Sequence, residues 1–156
     1  MSDVTVVELP AQTVIGIKRT GSFSDIPFVI NELIDFVMTS GADVVGAPFA
    51  LMHETCQEQV EMADREGTAV IDVNFPVAKP VAGSDKVRVY ELLGGTMARI
   101  VHTGPNEESE PAYEALFQWI VENGRQVTGP VREVYLNDPW IVEPEEILTE
   151  IFVPIA

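Results

Sequence analysis

VTVVELPAQTVIGIKRTG (residues 4–21) returns 83 residues later as VRVYELLGGTMARIVHTG (residues 87–104), and this pair decides the fold. Val4/Val87, Val6/Val89, Glu8/Glu91, Leu9/Leu92, Thr13/Thr96, Ile17/Ile100, Thr20/Thr103 and Gly21/Gly104 are identical. The same offset, without a gap, pairs Leu33 with Leu116, Phe36 with Trp119, Gly41 with Gly124 and Gly46 with Gly129. VNFPVA (73–78) and IFVPIA (151–156) then close the two halves at an offset of 78. Matched order, spacing and punctuation make this an internal two-fold repeat, roughly 1–80 and 84–156. The expectation is one domain spanning residues 1–156.

Each half reads as a pair of strands, a helix and two further strands. Residues 3–9 and 86–92 are rich in valine and alternate weakly, as half-buried strands do. Residues 13–20 and 96–103 are expected to continue each as a hairpin, after short turns at Pro10-Ala11 and Gly94-Gly95. A helix follows, with Asp25 or Ser109 at the N-cap and Pro27 or Pro111 in the first turn, where proline is tolerated. Gly41 and Gly124 sit where a left-handed C-terminal cap belongs. The remaining strands fall at 47–54, 69–76, 130–136 and 148–154. One such unit is too small to close a core, so two must share one. The expected class is α+β: tandem strand-helix-strand-strand repeats, an antiparallel sheet of about eight strands, and two helices on one face forming a ligand cleft.

The helices carry a wide apolar surface. Ile26, Val29, Ile30, Leu33 and Val37 form the first stripe, with Phe28, Ile34 and Phe36 beside it. Ala112, Leu116 and Ile120 form the second, flanked by Tyr113, Phe117 and Trp119. Such width calls for a further contact: a homodimer interface, or an aromatic-lined groove that accepts a ligand.

Acidic residues outnumber basic ones 25 to 9, for a formal net charge of −16. That balance excludes nucleic acid as a direct partner, since phosphates need a basic surface, and it raises the local concentration of cations. No apolar run reaches ~18 residues, so no membrane span is expected. Met1-Ser2-Asp3 lacks the features of a signal peptide, which points to the cytoplasm. Cys56, the single cysteine, permits no intramolecular disulfide and no cysteine-based metal cluster. It reads as a small apolar residue beside His53 and Glu54, and Trp140 reads as the anchor of a loop. No cofactor or metal is expected. His53 and His102 are the only histidines, lie at no ligand spacing, and serve only a remote haem alternative.

In a duplicated fold, differences between the halves mark the site. Glu133 and Tyr135 share one face of a strand and replace Ala50 and Met52 of the first half. Glu150 and Phe152 share a face of the last strand and replace Asp72 and Asn74. The plain alternative pairs Glu133 with Arg132 or Arg99 at a solvated edge, but strand alternation puts Arg132 on the other face. A carboxylate buried without a cation is expensive, and its pKa rises to lessen the cost. Among aromatic rings it matches a lipophilic cation, to which each desolvated ring face adds ~0.5–2 kcal/mol.

AYEALFQWIVENG (112–124), GPVREVYLNDP (129–139) and PEEILTEIFVPI (144–155), in this order and spacing, resemble the GyrI-like small-molecule-binding family. That family includes effector-binding domains of multidrug-sensing transcription regulators. The resemblance implies a pseudo-two-fold pair of modules with a ligand cleft between them. It implies that Glu133 contacts cationic aromatic compounds, that Glu150 assists, and that Phe152 stacks where a tyrosine is common. Tyr113 and Trp119 would line the cleft, with Phe36 mirroring Trp119. The chain begins directly at the first strand and so resembles a stand-alone member. Three functions follow from the resemblance. The first is a binding protein for hydrophobic, planar, often cationic compounds. The second is a hydrolase of cyclopropane-containing natural products, with Glu133 or Glu150 as the acid. The third is a gyrase-inhibitor-type interaction protein, which the acidic run Glu107, Glu108 and Glu110 would suit.

Overall fold

Each repeat lays down its elements in the order its sequence predicts, with one helix added. The computed structural model describes residues 3–54, 57–138 and 141–156, so Cys56 and Trp140 lie outside the described residues. The first repeat supplies β1 (Thr5–Leu9), β2 (Gln12–Gly21), α1 (Ile26–Ser40), β3 (Phe49–Met52), α2 (Gln57–Glu66) and β4 (Ala69–Pro76). The second supplies β5 (Arg88–Leu92), β6 (Gly95–Thr103), α3 (Glu110–Glu122), β7 (Val131–Tyr135) and β8 (Leu148–Pro154). The fold is α+β, with eight antiparallel strands and three α-helices among the described residues. No helix among the described residues is long and apolar enough to cross a membrane.

Both repeat helices follow a short 3-10 turn, Phe23–Asp25 before α1 and Asn106–Glu108 before α3. Pro27 and Pro111 sit in the first helical turn, where the missing N–H leaves no bond unmade. Gly41 ends α1 at φ 71° and Gly124 follows α3 at φ 66°, a left-handed conformation that glycine adopts without a Cβ clash. The expected N-cap residues hold their positions, but neither side chain caps its helix. Asp25 instead accepts a hydrogen bond from the Ser22 amide at 3.0 Å, which closes the 3-10 turn ahead of α1.

The hairpins expected at Pro10-Ala11 and Gly94-Gly95 do not form. β1 pairs with β6, Thr5 opposite Arg99 and Leu9 opposite Gly95. β5 pairs with β2, Gln12 opposite Leu92 and Gly16 opposite Arg88. The repeats have therefore exchanged their first strands. VTVVEL and VRVYEL are so alike that either can satisfy the same ladder, and the short connections at Pro10-Ala11 and Leu93-Gly94 run on instead of folding back. Two compact units result: unit I is Ala11–Leu93, and unit II is Met1–Pro10 with Gly94–Ala156.

Unit I orders its strands β5-β2-β4-β3. Its core joins Ile15, Ile17, Ile71, Val73 and Phe75 of the sheet to Val29 and Leu33 of α1. The wide apolar surface of α1 is only partly used, since Phe28 is 66% exposed and Ile34 40%. α2, which the sequence reading did not anticipate, lies against β4, and its Asp64 carboxylate accepts from the Phe23 amide at 2.8 Å. Unit II orders its strands β1-β6-β8-β7. There Ala112, Leu116 and Ile120 of α3 are buried, as are Ala98, Ile100, Ile151 and Val153 of the sheet.

Candidate functional site

In an antiparallel ladder, residues directly opposite one another share a face. In unit II one set of rows reads Ile100–Ile151–Glu133 and His102–Thr149–Tyr135 across β6, β8 and β7. The alternate rows read Arg99–Phe152–Arg132 and Val101–Glu150–Val134. The candidate residues therefore divide between two faces. Glu133 and Tyr135 lie on the face that meets α3, while Glu150 and Phe152 lie on the other.

Glu133 is nine-tenths buried, and both of its oxygens accept from phenols. The Tyr113 hydroxyl on α3 donates to Oε2, and the Tyr135 hydroxyl donates to Oε1 at 3.1 Å. The Tyr113 ring stacks with Phe117, one helical turn on, with centroids 6.4 Å apart and planes 14° from parallel. No arginine or lysine among the described residues forms an ion pair with Glu133. Burial raises its carboxyl above the usual range, and the two phenol hydrogen bonds and the nearby His102 only partly oppose that rise. Burial, reinforced by the Glu133 charge, also holds both phenols well above the usual tyrosine range. They therefore stay protonated as donors. The cluster is an anion-capable, phenol-capped carboxyl among aromatic rings.

Glu150 has a different environment. Arg99 Nε donates to its Oε2, and both groups are partly exposed. Phe152 is buried on the same face, in one row with Arg99 and Arg132. The expectation that Glu150 and Phe152 join Glu133 is thus corrected: each strand's alternation was read properly, but the register between strands places the two pairs back to back. Trp119 is half-buried and flanks the buried stripe of α3 on the side away from Tyr113, about 120° around the axis at ~100° per residue. Phe36 belongs to unit I. There it lines a concavity of ≈ 290 Å³ with Ile17, Val87, Glu32, Asp35 and Lys86.

Unit I lacks the counterpart of this cluster, because its helix face has Ala50, Met52 and Ile30 at the corresponding positions. Its polar groups gather on the opposite face. Asp72, 2% exposed, meets His53 Nε2 at 2.8 Å and accepts from Asn74 Nδ2 at 3.1 Å. The Tyr90 hydroxyl donates to Asn74 Oδ1 at 2.6 Å, and the Arg88 guanidinium lies 4.8 Å from the Tyr90 ring centre. His102 Nε2 donates to the Pro105 carbonyl at 2.9 Å. Both histidines weighed as haem ligands therefore hold protein partners. The sequence reading missed His102 as a neighbour of Glu133. Its one signal was that an imidazole stands where the first repeat has Arg19.

The sequence profile of the GyrI-like small molecule binding domain matches residues 2–156. Comparison with curated proteins finds no match. Among solved structures, the EcmrR C-terminal domain is similar at a TM-score of 0.82 and 23% identity, over 99% of this chain and 97% of that one. A hydrolase from Listeria innocua is similar at a TM-score of 0.67 and 13% identity, over 99% and 92%. SAV2435, in a structure bound to tetraphenylphosphonium, is similar at 0.56 and 15% identity, over 99% and 94%. At these identities the likeness to each is one of fold.

Proposed function

The chain belongs to the GyrI-like small-molecule-binding family, and from that premise we propose that it captures hydrophobic, planar, cationic compounds in the cytoplasm, with Glu133 as the counter-charge. One observation carries the reading: a nine-tenths buried carboxylate with phenol donors on both oxygens and no ion-paired arginine or lysine among the described residues. Such a group is costly to ionise alone and is relieved by a cation. Tyr113 and Tyr135 each take up one acceptor site on its oxygens and hold the carboxylate in place, so a cation without N–H donors is attracted by the charge without displacing either phenol. The tyrosine faces add cation–π attraction of ~0.5–2 kcal/mol each. Tetraphenylphosphonium, present on SAV2435, is not planar but is a lipophilic aromatic cation without N–H donors, which suits it as a probe of the charge.

The test is calorimetric titration of the purified protein with tetraphenylphosphonium and with neutral triphenylphosphine oxide. The reading expects cation-selective binding, and equal affinity for the two overturns it. A hydrolase reading draws on the same raised carboxyl as a proton donor, with Tyr135 as a second donor. Mass spectrometry of a recovered ligand separates the two readings, because only an enzyme returns an altered compound.

A further inference from the structure

We propose that His53, held by the buried carboxylate of Asp72, is a nucleophilic acyl-acceptor site of unit I that takes activated acyl compounds such as aryl esters. The site shares no residue with the Glu133 cluster and stands independently of it. Its foundation is Asp72 on β4, 2% exposed. A carboxylate is buried only at a cost, which its hydrogen-bond partners must offset. Asp72 Oδ2 meets His53 Nε2 at 2.8 Å, just beyond the end of β3. Asp72 Oδ1 accepts from Asn74 Nδ2 at 3.1 Å. The Tyr90 hydroxyl donates to Asn74 Oδ1 at 2.6 Å and so fixes which way that amide points. Gly16, opposite Asn74 on one side and Arg88 on the other, leaves the amide its room: a Cβ there would lie 2.1 Å from Asn74 Oδ1. The Arg88 guanidinium comes to 3.6 Å from Asp72 Oδ1, too far for a hydrogen bond, and rests over the Tyr90 ring. Among the described residues, Oδ2 is therefore left to His53 alone.

A carboxylate only accepts, so in the neutral imidazole Nε2 carries the proton and Nδ1 the lone pair. No described residue hydrogen-bonds to Nδ1, and the His53 side chain is 31% exposed. A nucleophilic nitrogen is thus presented outward by an aspartate that is itself locked in place, the relation by which a carboxylate orients a reactive imidazole. The carboxylate also favours the positive charge that develops on the ring as Nδ1 attacks. His102 provides the contrast within the same chain: it is buried, and its Nε2 donates to a backbone carbonyl instead of meeting a carboxylate. In the reaction, Nδ1 forms a bond to the acyl carbon, the ester C–O bond breaks, and the aryloxide leaves with the electron pair. Water then adds to the acyl carbon and the Nδ1–carbon bond breaks. The carboxylic acid, the neutral imidazole and one proton, which the aryloxide takes up, are released.

Two probes test the site on the full chain at about pH 8.5, well above the ordinary imidazole range. Diethyl pyrocarbonate, an acyl donor whose histidine adduct survives digestion, maps the reactive residue by peptide mass spectrometry. His53 should be acylated at least about tenfold faster than His102 and than free N-acetylhistidine. The second probe, p-nitrophenyl acetate, reads turnover, and His53→Gln should lose most of the wild-type rate. Nitrogen-15 NMR should show the Nε2–H tautomer at His53. In Asp72→Asn the amide N–H can donate to Nε2 and favour the other tautomer, so that form should gain and acylation slow by at least about tenfold. Acylation of His53 no faster than N-acetylhistidine, a predominant Nδ1–H tautomer in wild type, or unchanged ester hydrolysis in His53→Gln overturns the proposal. These wild-type and His53→Gln results decide it even if Asp72→Asn does not fold, and a folded Asp72→Asn with the wild-type rate overturns the role of Asp72.

Discussion

Replacing Glu133 by glutamine removes one charge and little else. The amide oxygen still accepts from one tyrosine, and the hydroxyl of the other can turn to accept from the amide N–H. A bulky cation cannot bring its charge much closer than ~6 Å to the carboxylate. At an effective dielectric constant of ~20 the lost attraction is about 2.8 kcal/mol, or about a hundredfold in Kd. Calorimetry with tetraphenylphosphonium should show that loss, while triphenylphosphine oxide should change by less than about threefold. The same variant has a signature in stability. The folded Glu133 carboxyl titrates above its unfolded value, so between the two midpoints the folded state retains a proton that the unfolded chain has released. Wild-type stability therefore falls as pH rises through that window, by about 1.4 kcal/mol for each pH unit of separation, and stays lower above it. Glu133→Gln lacks this fall, so urea denaturation should show its stability rising relative to wild type as the pH is raised above the ordinary glutamate range. Equal loss for the charged and neutral compounds, or a parallel stability profile, would refute the reasoning.

Glu150→Gln should leave tetraphenylphosphonium affinity within about twofold, because Arg99 already neutralises this carboxylate and the ladder turns it away from Glu133. Tyr113→Phe removes the donor on Oε2, which pushes the Glu133 carboxyl higher still and should cost about 1–3 kcal/mol of stability by urea denaturation. In that variant, cation affinity should begin to fall at a higher pH than in wild type. Gly16→Ala would place a methyl carbon 2.1 Å from Asn74 Oδ1 and 3.0 Å from the Val73 carbonyl. Thermal denaturation should register a loss of at least 1–3 kcal/mol as the Asn74–Asp72–Tyr90 network is forced apart.

Much of this fold was legible because duplication prints the same information twice. β4 and β8 fall at the expected residues, and the glycines at 41 and 124 end their helices as read. Duplication also hid the strand exchange: with β1 and β5 nearly interchangeable, composition cannot say which partner each one takes. α2 escaped notice because QEQVEMADRE offers only Val60, Met62 and Ala63 as apolar residues, too few to draw a stripe. For the site, period-2 alternation correctly grouped Glu133 with Tyr135 and Glu150 with Phe152. What alternation within one strand cannot give is the parity of one strand relative to the next, since hydrogen-bond register sets it. That is why Glu150 read as a second acid of the site when it is the partner of Arg99. Tyr113 was legible as an aromatic flank of α3, whereas Trp119, on the same helix, lies on the other flank.

The most direct test of the central claim is the titration of Glu133 itself, followed by carbon-13 NMR of its labelled side-chain carboxyl with and without saturating tetraphenylphosphonium. A hundredfold preference of the cation for the ionised site requires, by linkage, that binding lower the Glu133 midpoint by about two pH units. A midpoint that starts above the usual carboxylate range and drops by that amount is the predicted result. A midpoint unmoved by a saturating cation would contradict the account, because the ligand would then bind without using the charge of Glu133.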